Sequence, residues 1–166
     1  MNDTEAPFSQ IKPRLHIVLF EPEIPQNTGN IGRLCVGADC DLHIVKPARF
    51  RLDDAAIKRA GLDYWQHLKL HLHNSIQDVF SQFPPNRIFL ASTKAKHCYW
   101  DNTYQEGDVF VFGPESRGLP ESLLNSHYPN CIRIPMSEKI RSINLANSVG
   151  IVMYEALRQI AHPELP

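Results

Sequence analysis

Leu15-His-Ile-Val-Leu-Phe20 runs directly into Glu21-Pro-Glu-Ile-Pro-Gln-Asn27-Thr-Gly29-Asn30-Ile-Gly32-Arg33, and this junction decides the class of fold. LHIVLF is a continuous apolar run. A strand with one wet face alternates apolar and polar residues, so a continuous run marks a strand covered on both faces. Glu21–Gly29 reads as a loop, because Pro22, Pro25, Asn27 and Gly29 punctuate it. A helix pattern follows through Ile31, Leu34, Cys35 and Ala38.

Working outward, Leu42–Val45 reads as a second short strand. Residues 52–61 read as a helix that starts at Asp53-Asp54 and stops at Gly61. Residues 66–73 form a weak strand pattern and 75–82 a short helix. Arg87–Ala91, Asp108–Phe112 and Cys131–Ile134 are further strands, with a short helix starting near Pro120. Leu145–Ile160 is the longest helix, carrying Leu145, Val149, Val152, Met153, Ala156, Leu157 and Ile160 on one stripe. Strands alternating with helices predict an α/β fold with a mostly parallel sheet and helices on both faces. Residues 1–14 read as a flexible tail and 15–166 as a single domain, a length that buries a core without disulfides or metals.

A net charge of −1 announces no global basic field, and it leaves local patches open, because steering depends on charge distribution. The four cysteines, Cys35, Cys40, Cys98 and Cys131, lack C-x-x-C spacing and read as free buried thiols of a reducing compartment. The N-terminal residues hold no apolar signal-peptide core, and no run approaches the ~18–20 apolar residues of a membrane span, so a cytoplasmic location is expected. Among eight histidines, His71 and His73 share one side of a strand. Without a matching Cys or Glu cluster they read as solvent-exposed, and no metal site is expected. No G-x-S-x-G nucleophile elbow occurs. Tyr64-Trp65 reads as packing, with base stacking as the alternative.

Ligands of open parallel sheets bind beyond the carboxyl ends of strands, and four strand ends here lead into unusual loops. The first, Glu21–Arg33, suits a helix cap with a tight turn or an anion site equally well. It is neither G-x-G-x-x-G nor a P-loop. The second, Phe112-Gly113-Pro114-Glu115-Ser116-Arg117-Gly118-Leu119-Pro120, is a rigid turn that sends Glu115 and Arg117 into a crevice or leaves them as a surface ion pair. In the third, Ile134–Leu145, either Ser142 or Asn144 caps the last helix. The fourth, Leu90-Ala91-Ser92-Thr93-Lys94, is small and polar.

Three motifs in this order, NTGNIGR (27–33), FGPESRGLP (112–120) and IPMSEKIRSINLANSVGIVMYE (134–155), resemble the SPOUT methyltransferases, specifically the small TrmL-like (YibK-like) group. The resemblance extends to EPEIPQNTGN (21–30) and RAGLDYW (59–65). It implies an α/β fold with a C-terminal trefoil knot, a homodimer with shared active sites, and S-adenosyl-L-methionine as cofactor. Cofactor contacts fall at Ala91, Gly113, Ile134 and Ser142, with Ser92, Met136 and Leu145 nearby. Reaction-centre residues match Asn27, Arg33, Glu115, Ser142 and Asn144. Ala91, Gly32, Ser116 and Lys139-Ile140 depart from the family's pattern, and none is a reaction-centre match.

The implied reaction is 2′-O-methylation of the ribose at tRNA wobble position 34, a cytidine or modified uridine of leucine tRNAs, reached through the anticodon stem-loop. Arg33 is expected to grip a phosphate and stabilise alkoxide charge, because guanidinium does not deprotonate in proteins. Asn27 and Asn144 would orient Arg33 or the ribose, and Glu115 would fix the substrate-holding loop. Other classes stay open at this point: another tRNA or rRNA site, a non-catalytic RNA-binding module, or a nucleotide hydrolase using the first loop as an anion nest.

Overall fold

The computed structural model describes residues 15–52 and 63–161. The tail expected over residues 1–14, and the helix expected over 52–61 from residue 53 onward, lie outside the described residues. In chain order the elements are β1 (His16–Phe20), α1 (Pro25–Gly37), β2 (Asp41–Val45), β3 (Leu70–His73), α2 (Ile76–Phe80), β4 (Ile88–Ala91) and β5 (His97–Cys98). They continue with β6 (Val109–Phe112), α3 (Glu121–Ser126), β7 (Cys131–Arg133) and α4 (Leu145–Ala161). One seven-stranded sheet runs in the order β3-β2-β1-β6-β4-β7-β5, and each described pairing is parallel.

The parity of each strand sends alternate residues into two cores. Ile17 and Leu19 of β1, Leu42 and Ile44 of β2, and Phe110 and Phe112 of β6 bury on one face. They meet Ile31 and Cys35 of α1 and Val149, Val152, Met153 and Ala156 of α4. Val18, Val45, Leu90 and Val111 bury on the other face, under Ile76 and Val79 of α2 and Leu124 of α3. Both faces are covered, which is why β1 reads as a continuous apolar run rather than an alternating one.

The first helix departs from expectation. It begins at Pro25, so Asn27 and Gly29 are helical and buried rather than part of a loop. Pro25 sits where the missing N–H costs nothing. The backbone N–H groups of Glu23 and Ile24 donate to the Glu115 carboxylate, at 2.9 and 3.1 Å. The helix entry is therefore held by a side chain about ninety residues away, which local propensity does not reveal. At Gly32 a β-carbon would stand 3.2 Å from Leu68 Cδ2 and 3.4 Å from the Trp65 ring, so the missing side chain lets the 64–68 segment settle on α1. Tyr64 is buried there and its hydroxyl donates to the Gly29 carbonyl, which favours packing over base stacking for this ring.

Registers Leu19↔Phe112, Ala91↔Phe112 and Ala91↔Ile132 place the carboxyl ends of β1, β6, β4 and β7 along one edge. β1 leads to β2 on one side and β6 leads to β7 on the other. The crevice between these adjacent strands is thus a topological switch point, where ligands of such sheets bind. At the opposite edge Arg87 forms a two-pronged pair with the fully buried Asp108 carboxylate, at 2.6 and 2.5 Å.

Candidate functional site

A cleft of about 650 Å³ opens at that carboxyl edge, within the usual range for small-molecule sites of about 300–1,000 Å³. The expected contacts converge on it: Ala91 and Ser92 from the β4 exit, Gly113 and Glu115 from the β6 exit, and Ile134 and Met136 from the β7 exit. Ser142, Asn144 and Leu145 close it from the entry of α4, and Asn27 reaches it from α1.

A hydrogen-bond chain ties these loops together. Asn144 Nδ2 donates to Asn27 Oδ1 at 3.1 Å, and Asn27 Nδ2 donates to Glu115 Oε1 at 3.1 Å. Glu115 therefore accepts from one amide side chain and two backbone N–H groups, all at the head of α1. Asn144, rather than Ser142, is the N-cap of α4: its Oδ1 accepts from the backbone N–H groups of Ala146 and Asn147, at 2.9 and 3.3 Å. Ser142 stays exposed at the cleft, its hydroxyl uninvolved in capping.

The Phe112–Pro120 loop is clamped to the β1 exit. Ser116 donates to Glu23 through both its backbone N–H, at 2.9 Å, and its hydroxyl, at 2.8 Å. The Ser116 hydroxyl is the main reason that the Glu23 carboxyl titrates below its ordinary value, with Arg49 and Arg117 adding to it. Arg117 pairs with Glu21 and not with Glu115, so the surface ion pair considered within this loop does not form. Gly113 is needed by the loop itself. A β-carbon there would lie 2.4 Å from the Gly118 carbonyl carbon and 2.4 Å from the Leu119 nitrogen. Gly118 turns the chain at φ +69, the left-handed region that glycine enters freely.

Arg33 is the one expected site residue that the fold does not bring to the cleft. It lies six positions after Asn27 on α1, about two-thirds of a turn round the helix. Its guanidinium is exposed and sits 5.7 Å from the centre of the Tyr64 ring, a cation–π contact.

Two cations were not singled out by the sequence. Lys94 and Arg133 join Arg117 and Arg141 in the lining, where Glu115 is the sole carboxylate among the described residues. The cleft mouth is therefore basic in a chain of net charge −1. Arg133 is the outward member of β7, so its signal lay in strand parity. His71 and His73 lie away from the cleft, on β3.

The sequence profile of the SpoU rRNA Methylase family matches residues 14–154. A tRNA (cytidine(34)-2′-O)-methyltransferase from Methylovorus glucosotrophus is 46% identical over 144 residues, 86% of this chain and 94% of the relative. A solved structure described as giving insights into the 2-OH methylation of C/U34 on tRNA is 43% identical with a TM-score of 0.85. The match covers 90% of this chain and 97% of that one. An AdoMet-bound rRNA methyltransferase from Sinorhizobium meliloti, 22% identical, shares the fold with a TM-score of 0.78 over 93% of this chain and 60% of that one.

Proposed function

This chain belongs to the SpoU methylase family, and from that we propose that it methylates the ribose 2′-oxygen at wobble position 34 of tRNA, as its relatives are named for doing. The observation that carries this reading is the Asn144–Asn27–Glu115 chain, which locks three strand exits around one cleft with a basic mouth. A half-apolar cavity beside cationic side chains suits a nucleoside-bearing cofactor next to an RNA backbone.

Ala91, Ser92, Gly113, Ile134, Met136, Ser142 and Leu145 would hold S-adenosyl-L-methionine; all line the cleft, and Ile134, Met136 and Leu145 offer apolar wall for an adenine. When bound, that cofactor supplies an activated methyl group. The protein's own task is to orient a weakly nucleophilic hydroxyl and give its proton an exit.

Glu115 is a strut rather than a base, because its oxygens are occupied by donors from Asn27 and from the backbone leading into α1. Asn27 and Asn144 hold each other, so they shape the cleft around the ribose instead of orienting Arg33. Ser142 is the exposed hydroxyl at the rim. Arg33 grips the phosphate beside the target ribose and stabilises developing charge on the 2′-oxygen, whose proton passes to that phosphate or to water.

Arg33 lies outside its own cleft, so it serves the cleft of a second copy. Ile24, Ile151 and Tyr154, 40%, 36% and 53% exposed, lie at the head of α1 and along α4 and supply apolar surface for that pairing. The trefoil path at the C-terminus and a cytoplasmic setting, where tRNA is found, belong to the same reading. Among the described residues no helix is long and apolar enough to cross a membrane.

Titration calorimetry with S-adenosylhomocysteine, followed by tritiated methyl transfer to tRNA, tests the proposal. Tight binding and transfer are expected. Absence of binding would point to a non-catalytic RNA-binding module, and binding without transfer to any tRNA would move the substrate to another RNA.

A further inference from the structure

Parallel pairing gathers five polar side chains far apart in sequence onto the α2 side of the sheet. In register, His16 stands opposite Asp41, and His43 opposite His71. His16 Nδ1 lies 3.0 Å from His43 Nε2, His43 Nδ1 lies 2.9 Å from His73 Nε2, and His71 Nε2 lies 3.0 Å from Asp41 Oδ2. Phe83 covers the group, its ring centre 4.5 Å from that of His16 and 5.9 Å from that of His43.

We propose that His16, Asp41 and His43 bind a divalent transition-metal ion of the zinc class, with His71 and His73 supporting the ligands from outside. One ligating atom from each of the three lies within 4.8 Å of the others. Zinc bonds of about 2.0–2.2 Å to nitrogen and oxygen put neighbouring donors about 3.4 Å apart, so small side-chain rotations close the set.

Three features favour an ion over a bare hydrogen-bond ladder. Asp41 is 7% exposed, and its Oδ1 is buried without a hydrogen-bond partner. An orphaned buried acceptor is costly, and a cation removes that cost. His43 is 2% exposed, so the donor set is held away from bulk water. The arrangement also has outer partners of the usual kind: His43 Nδ1 shares a hydrogen bond with His73 Nε2, and the Asp41 carboxylate accepts from His71. Two imidazoles and one carboxylate leave a fourth position for water. The site bridges β1 and β2, with the edge strand β3 outside them, and shares no residue with the cleft lining. Its role is to pin this side of the sheet.

The test is titration of Co²⁺ into the chelator-stripped, tag-free full chain, read by visible absorption and calorimetry, with Zn²⁺ competition. One ion per chain is expected, with d–d bands and no thiolate charge-transfer band. His16→Gln and Asp41→Asn should each weaken binding by at least ~100-fold, and His73→Gln by ~10–100-fold as an outer partner. His67→Gln and His97→Gln, at exposed positions outside the cluster, should change nothing. Far-UV circular dichroism and S-adenosylhomocysteine affinity check that each variant folds. If His16→Gln or Asp41→Asn does not fold, His71→Gln and His73→Gln carry the test, and unchanged affinity in both overturns the proposal. Failure to bind one ion, a thiolate band, or affinity unaltered in folded His16→Gln and Asp41→Asn also overturns it.

Discussion

At Gly113 the β-carbon of any other residue would collide with the backbone of Gly118 and Leu119 at 2.4 Å. The obstacle is backbone and not the far end of a side chain, so Gly113→Ala must open the Phe112–Pro120 loop. S-adenosylhomocysteine affinity is expected to fall at least ~10-fold, about 1.4 kcal/mol, while the circular dichroism of the sheet is kept. Unchanged affinity would place the cofactor elsewhere. Arg33 makes the complementary case, because it lies outside the cleft of its own chain. Arg33→Ala should leave S-adenosylhomocysteine affinity unchanged and cut methyl transfer at least ~100-fold, the scale of losing one preorganised charge stabiliser. Arg33→Lys should rescue poorly, because a point charge lacks the planar two-pronged grip. A near wild-type rate in Arg33→Ala would end its assigned role.

Among the elements, β1, β4 and β6 were legible because strands covered on both faces carry unbroken apolar runs, and β2 and β7 were legible despite the His43 and Arg133 that interrupt theirs. The stripe on α4 was legible for the matching reason: Val149, Val152, Met153 and Ala156 recur at helical spacing and are fully buried. The head of α1 was not, since Pro25, Asn27 and Gly29 are turn-formers locally, and Glu115 and Asn144 hold them from afar. The two-residue β5 has too little pattern to read. The histidine group was hidden for a topological reason, because residues 16, 41, 43, 71 and 73 meet only through sheet register. The amino edge of the sheet offers a stability test. Burial pushes the Asp108 carboxyl up, while the Arg87 guanidinium pulls it back down. Removing the cation leaves a buried carboxylate uncompensated. Arg87→Ala should cost about 3 kcal/mol in urea unfolding, and a loss below ~1 kcal/mol would mean that solvent reaches Asp108.

For the whole molecule, the carboxyl edge gathers the cleft-lining residues, and the proposed pairing of two copies would use the apolar surface of α1 and α4. If Arg33 serves the other copy's cleft, mixing Arg33→Ala with Gly113→Ala chains, at a cofactor concentration too low to fill the Gly113→Ala cleft, should restore activity that neither has alone. With random exchange half the dimers are mixed and each holds one complete site, so about a quarter of wild-type turnover is expected. No recovery would put Arg33 and the cleft it serves in one chain. The central claim is the atom that receives the methyl group. The measurement that reaches it most directly is tritiated methyl transfer to tRNA lacking this modification, with nuclease mapping and mass spectrometry of the labelled nucleotide. The label is expected on the ribose 2′-oxygen of nucleotide 34, the position for which the relatives are named. Label on a base, or at another position of the tRNA, would contradict the account.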